Sequence, residues 1–292
     1  MRTLKPAIAA ILVTISGSWI SRAAELQPGT LMAWNTYLKQ ADLKMQERAA
    51  GHLPFLWTDE SPDRAARLRR GEVVIAPVVE AGTADVPHGL VHDWIGAIFI
   101  AGATINDVRA IVHDYEKYQD IYRPVVTSSR TLAYTDMSQE FQMVMHRKVL
   151  FVSAAMQGHY RAHDVVVDAH RGYSVSQSVE LREIEAHGHR NEHLLPPDTG
   201  NGFIWRICSV VRYEERDGGV YVELDAMVLT RDVPGSVAWM VNPVVHRLSI
   251  NSLTTTLRQT RDAVLSSRDT FQTSTARPAQ PRGSDNAKPG AE

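Results

Sequence analysis

From Gln139 to Thr230 the chain repeats one pattern, apolar and polar residues taking turns, which is the period of a strand with one face in the core. In "SQEFQMVMHRKV", Phe141, Met143 and Met145 fall on one side and Gln142 and His146 on the other. In "GYSVSQSVEL", Tyr173, Val175, Val179 and Leu181 alternate with Ser174, Ser176, Ser178 and Glu180. The run "GFIWRICSVVRYEERDGGVYVELDAMVLT" reads as two strands joined at Asp217-Gly218, a pair suited to a type I′ turn whose central residues need positive φ. That turn sets Arg216 opposite Gly219, and so Arg212 beside Glu223, Val210 beside Asp225 and Cys208 beside Met227. The other face then holds Phe203, Trp205, Ile207, Ser209, Val211 and Tyr213 with Val222, Leu224, Ala226 and Val228. A slip of one residue would mix charged and apolar faces, so turn and pattern agree. The Arg212–Glu223 neighbour pair is read as a marker of register and not a functional site; if exposed it would contribute only ~0.2–1 kcal/mol.

Helical spacing brackets these strands. In "LMAWNTYLKQADLKMQERAAG", Leu31, Trp34, Tyr37, Leu38 and Ala41 recur on one face and Gly51 can end the helix. A short apolar strand is expected near Glu72 to Val79 and a longer one from His88 to Ile100. Thr104 with Asp107 three residues on forms a capping box. Ile105, Val108, Ile111, Val112 and Tyr115 follow as one apolar face, and Pro124 closes the region. At the far end, Val237, Met240, Val241, Val244, Val245 and Leu248 form one stripe, continued by Leu253, Leu257, Thr260 and Val264. Pro243 lacks an amide, so a short segment near Ser236 to Asn242, a break, and a long helix to about Arg268 are expected.

Of the 292 residues, the two ends read differently from the middle. Arg2 and Lys5, an apolar run from Pro6 to Ile20, and Ser21-Arg22-Ala23 have the order of a secretory signal peptide cleaved after Ala23. The alternative, an uncleaved anchor, has a run shorter than the ~20 residues a bilayer takes. Cleavage removes Arg2, Lys5 and Arg22 and no anion, moving the formal charge from −2 to −5. An acidic chain with no basic block argues against nucleic acid as a partner. One cysteine, Cys208, excludes an internal disulfide and a thiolate metal cluster. The tail is rich in Ser, Thr, Pro and Gly and cannot bury enough apolar surface to order itself. The expected organisation is a signal peptide (1–23), an N-terminal extension with a helix (24–84), a main domain (85–268) and a disordered tail (269–292).

Strand, helix, a run of antiparallel strands and a long last helix make an α+β order. The sheet's apolar face needs a cover, which only the last helix is long enough to supply. A curved sheet around one helix leaves room for a cavity with apolar walls. The stretches "INDVRAIVHDYEKYQDIYRPVVTSSRTL", "WRICSVVRYEERDGGVYVELDAMVLTRDVP" and "SLTTTLRQTRDAV" resemble the helix-grip superfamily called START or SRPBCC, over about Gly89 to Arg268. Its most specific parts are Asp114-Tyr115 and the Gly-Gly-Val-Tyr-Val-Glu strand leading to Arg231-Asp232-Val233-Pro234. The resemblance implies a curved antiparallel sheet wrapped around the C-terminal helix, with a cavity for a lipid or another hydrophobic molecule. It carries no universal catalytic residues.

The candidate ligand-binding residues are therefore Phe141, Met143, Tyr173, Trp205, Tyr213 and Leu224 on the sheet, closed at one end by Met240 and Val244. The same side chains would serve equally as packed core, since burying one is worth roughly 1.5–3 kcal/mol either way. Trp239 and Met240 could gate the cavity or touch a membrane transiently; the plainer reading is a helical turn packed on the sheet. The loop "HGHRNEHLLPPDTGNG" from His187 has three histidines and Glu192, but a solvated loop is expected there and no metal. His92 reads as structural. Ser209, Tyr213, Gln177 and His246 are the polar groups a cyclase-like or hydratase-like enzyme would use. No dinucleotide, phosphate-loop, zinc or nucleophile-elbow motif accompanies them, so no cofactor is expected. Sequence thus favours a binder of a hydrophobic small molecule. The other readings are an enzyme using His246 and Tyr213, and an interaction module working through its N-terminal helix.

Overall fold

The computed structural model describes residues 24–135, 138–149, 152–232 and 235–275. The expected signal peptide lies outside them. Helix α1 (Pro28–Ala49) and helix α2 (Pro62–Arg69), linked by a single 3-10 turn at Trp57–Glu60, form an N-terminal layer. Short strands β1 (Val74–Pro77) and β2 (Thr83–Val86) lead into the long β3 (Gly89–Ala101). Helix α3 (Ile105–Val112) follows, with both bonds of the Thr104–Asp107 capping box formed. Then come β4 (Val126–Tyr134), β5 (Gln139–Val149), β6 (Val152–Val166) and β7 (Arg171–Glu185). The hairpin β8 (Arg206–Arg216) and β9 (Gly219–Arg231) precedes the last helix, α4 (Gly235–Thr275).

The strands pair antiparallel in the order β1-β3-β9-β8-β7-β6-β5-β4, with β2 also on β3. The hairpin has the expected register: Arg216 faces Gly219, Arg212 faces Glu223 and Cys208 faces Met227. Asp217 and Gly218 both take positive φ, 54° and 76°, as the I′ turn demands. Register shifts between β4 and β5 and at His159/Tyr160 between β6 and β7 mark bulges, which add local bend and twist. The result is α+β, a bent antiparallel sheet with a long helix on one face, which is the helix-grip architecture.

Helix α4 does not break at Pro243 and does not stop near Arg268; it runs as one helix of 41 residues to Thr275. A proline interior to a helix removes one rung and favours a kink, and the remaining rungs can carry the helix past it. Leu253, Leu257, Thr260 and Val264 are buried as the stripe predicts. Gly96 of β3 lets the helix come close, since a Cβ there would lie 2.8 Å from Leu257 Cδ1.

The opposite face of the sheet corrects the sequence reading. Arg212 and Glu223 are not solvated: Glu223 is fully buried and Arg212 nearly so, beneath the N-terminal layer. The Glu223 carboxylate accepts from the amides of Trp57 and Thr58 (3.0 and 2.7 Å), the Thr58 hydroxyl (2.7 Å) and Arg212 Nε (2.9 Å). One sheet carboxylate thus satisfies the start of the Trp57–Glu60 turn. Around it Trp34, Met45, Phe55, Leu56 and Leu68 from the extension pack on Val91, Ile95, Cys208 and Leu229. The molecule has three layers, and the charged face is an interior. Burial pushes the Cys208 thiol up to about 12, so it behaves as a small hydrophobe.

Two consequences can be measured. Glu223→Ala strands the buried Arg212 charge and should cost about 3–5 kcal/mol in urea unfolding, with part recovered by adding Arg212→Met; a loss below about 1 kcal/mol would contradict this role. The second concerns Asp93, 3% exposed, whose Oδ2 accepts from Tyr37 of α1 at 2.6 Å. Burial first, and the Asp225 charge second, push its carboxyl up to about 8. The folded chain keeps a proton that the unfolded chain sheds near pH 4. The stabilisation is whole at low pH and fades as pH rises through about 8. Between about pH 4 and 8 the unfolding free energy should fall by up to about 1.4 kcal/mol per pH unit and level off above about 8, and Asp93→Asn should flatten that slope.

Candidate functional site

Strand alternation sorts each residue of the sheet onto one of two faces, and the two are packed differently. On the outer face Cys208, Val210, Arg212, Tyr221, Glu223, Met227 and Leu229 are buried under the N-terminal layer. On the inner face, toward α4, Ile207, Ser209 and Val211 of β8 and Leu224, Ala226 and Val228 of β9 are only half-buried. Met143 and Met145 of β5 are half-buried on the same face. An apolar face in the middle of a sheet and beneath a helix is therefore not fully closed by its neighbours. Tight packing begins toward α3, where Ile98, Ile100, Val108, Val112, Tyr213, Val220 and Val222 gather.

Aromatic rings wall the other flank. Tyr115 stacks on Phe141 at 4.0 Å between centroids, and Phe141 on Tyr160 at 5.0 Å. Tyr118 meets Tyr115 and Tyr122 edge-on, and the Tyr122 and Thr260 hydroxyls share a 3.1 Å hydrogen bond that ties the helical region to α4. Gly158 makes room for the Tyr160 ring, because a Cβ there would lie 2.3 Å from it. The buried Tyr160 hydroxyl has no partner among the described residues.

The predicted lining residues separate into two groups. Phe141, Met143, Tyr213 and Leu224 lie on the inner face, and Val244 of α4 is half-buried. Tyr173 and Trp205 do not join them; they pack in the outer core with Trp34, Cys208 and Leu229. Tyr173 sits opposite Arg212, hence on the outer face. Trp205 precedes β8, where its amide donates to the Leu229 carbonyl at 2.7 Å. Gly202 leaves room for its ring, which lies 2.6 Å from where a Cβ would stand. The side chains of Trp239 and Met240 lie outside the described residues.

The polar candidates are also dispersed. The Tyr213 hydroxyl donates to Asp164 Oδ1 at 2.5 Å, while Arg109 Nη2 of α3 donates to Oδ2 at 2.7 Å and His113 lies 3.3 Å away. Burial and then this bond to Asp164 raise the phenol's pKa. Burial also pushes Asp164 up, but His113, Tyr213 and Arg109 together hold it below its ordinary value. Sequence reading missed this cluster, which joins α3 to the sheet, because its members come from three distant segments. His246 is elsewhere, edge-on to Trp94 at 4.6 Å, and Gln177 is exposed. His246 and Tyr213, proposed from sequence as an acid–base pair, are thus committed to different neighbours. In the histidine loop, His187 faces Glu192 and His193 faces Glu185, each at 3.1 Å. His92 has a 3.1 Å contact to the Thr230 hydroxyl. No helix among the described residues is long and apolar enough to cross a membrane.

No family model and no curated protein matches the chain. Solved structures do, at low identity. A STAR-related lipid transfer protein from Xanthomonas axonopodis is 17% identical over 66% of this chain and 98% of its own, with a TM-score of 0.41. Human STARD10 is 12% identical over 67% and 78%, TM-score 0.42. The Zhui aromatase/cyclase from Streptomyces sp. R1128 is 13% identical over 64% and 98%, TM-score 0.39. These are likenesses of chain layout and say nothing of ligand or chemistry. On its own topology, sheet order and long covering helix, this chain has the helix-grip fold that its resemblance to the START or SRPBCC superfamily implied.

Proposed function

We propose that the chain binds a lipid or another hydrophobic small molecule between the inner face of the sheet and α4, and carries it unchanged. The observation that supports this reading is the difference between the faces. The polar outer face beneath the N-terminal layer is closed, whereas the apolar inner face from Met143 to Val228 is half-buried. Apolar surface left partly uncovered forgoes roughly 25 cal/mol per Å², which an apolar ligand recovers on entering. Phe141, Met143, Leu224 and Val244 are the proposed lining residues, with Ile207 and Ala226 added and with Met240 retained near the mouth. Tyr173 and Trp205 drop out.

Export with cleavage after Ala23 belongs to the same proposal. Ala24 and Glu25 pair with Gly200 and Thr199, a pairing that a cut after Ala23 would leave whole. An exported binder would meet its ligand at a membrane surface, a transient contact made near Trp239.

Mass spectrometry of a denaturing extract of the purified mature protein should release a hydrophobic molecule. Ala226→Trp, which fills the inner face, should weaken uptake of the probe N-phenylnaphthylamine roughly tenfold. An empty extract together with no probe uptake would sink the binding proposal. For export, the chain recovered from outside the cytoplasm should begin at Ala24. An intact Met1 there would refute cleavage.

A further inference from the structure

Arg147 brings a positive charge to the apolar inner face of the sheet. It lies on β5 two and four residues beyond Met145 and Met143, so alternation places it on the same inner face. Its partner across the strands is Ala154, and Met145 with Met156 occupies the preceding row. The side chain is half-buried and reaches α4, where Nη1 donates to Ser252 Oγ at 2.5 Å. Ser252 in turn donates to the Leu248 carbonyl, so its oxygen carries no charge to offer.

A guanidinium has five N–H donors and a full positive charge, and is normally matched by carboxylates when taken from water. Among the described residues Arg147 makes one hydrogen bond and no ion pair. The carboxylates that β6, β7 and β8 carry on the inner face are engaged elsewhere: Glu215 accepts from the Ile105 amide at 2.7 Å and Glu185 faces His193 at 3.1 Å. Asp164 is held by Arg109 and Tyr213. Glu183 accepts from the amides of Asn201 and Gly202 and from the Asn201 side chain, each at 2.9 Å. In sequence, residues 149–151 and 233–243 contain no Asp or Glu. Burial alone lowers the Arg147 pKa, with no anion to offset it.

A neutral side chain would tie β5 to Ser252 as well, at less desolvation cost. The charge has a use if its counterion arrives with the ligand. We infer that the bound molecule is an amphiphile with an anionic head, a carboxylate or a phosphate monoester, whose head pairs with Arg147 while its apolar chain lies along Met143, Met145, Ile207 and Leu224. This rests on the binding reading above and names the ligand class for that same site.

The test uses delipidated full-length mature protein and matched probes that differ only in head charge. cis-Parinaric acid is compared with its methyl ester, and fluorescent phosphatidic acid with fluorescent diacylglycerol, both offered from phosphatidylcholine vesicles. The wild type should prefer the charged member of at least one pair by roughly tenfold, as a charge-assisted hydrogen bond provides. Which pair shows it names the head as carboxylate or phosphate. Arg147→Gln keeps a donor for Ser252 and removes the charge; it should abolish the preference and leave affinity for the neutral member within about twofold. Arg147→Lys should keep most of it. Equal binding of charged and neutral probes by the wild type overturns the inference and leaves the binding site standing, a result that needs no variant to fold. A preference that survives Arg147→Gln overturns it equally. If the wild type takes up no probe of either kind, the binding proposal falls as well.

Discussion

A carboxylate sealed in the middle of a sheet dictates what lies above it. Glu223 is fully buried, and an ionised carboxylate there is tolerable only with several donors around it. Arg212 supplies one from the next strand; the others come from Trp57 and Thr58, some 165 residues earlier in the chain. The N-terminal layer therefore has one place to dock, with the first amides of its 3-10 turn over the sheet. Once it is there, Tyr37 of α1 reaches Asp93, and the apolar side chains of the extension seal the surroundings. The outer face is occupied by this arrangement, and α4 is left with the other.

The two faces obey different physics, which explains their different packing. Hydrogen bonds to buried charges are directional, and one missing donor costs more than one apolar contact, so a polar interior must close completely. An apolar face has no such requirement. Its residues lose only the surface they fail to cover, and the loss is gradual. An opening between sheet and helix is thus tolerable on the side of Leu224 and Ile207 and would be ruinous on the side of Arg212 and Glu223.

Much of this was legible in the sequence. The Asp217-Gly218 turn and the alternation around it specify the hairpin register residue by residue, and Thr104 with Asp107 marks the start of α3. What alternation cannot say is which face meets water. Arg212, Glu223 and Asp225 look solvated until a distant segment is known to cover them. Nor does it survive a bulge. Tyr173, Val175, Val179 and Leu181 read as one face, yet the shift near Val179 changes the parity. Tyr173 and Val175 pack outward with Trp34, and Leu181 packs inward with Phe141 and Tyr160. The site was legible to the same extent: Phe141, Met143 and Leu224 follow from local pattern. Trp205 was misplaced because it precedes the strand whose period was extended to it. The Asp164 cluster carried no local signal, since Arg109, Asp164 and Tyr213 meet only in space.

The last helix α4 meets the sheet differently along its width. At β3 the missing side chain of Gly96 admits Leu257, so helix and strand touch directly. At β5 the helix is met instead by a long side chain, Arg147, extended to Ser252. Between these two contacts lie β9, β8, β7 and β6, with a bulge at His159/Tyr160 between β6 and β7. The half-buried residues Ala226, Leu224, Ser209 and Ile207 lie on the strands between these two contacts. The proposed ligand cavity would depend on these side chains staying small, since the inner face carries Ala226, Ser209 and Ser176 between the two contacts.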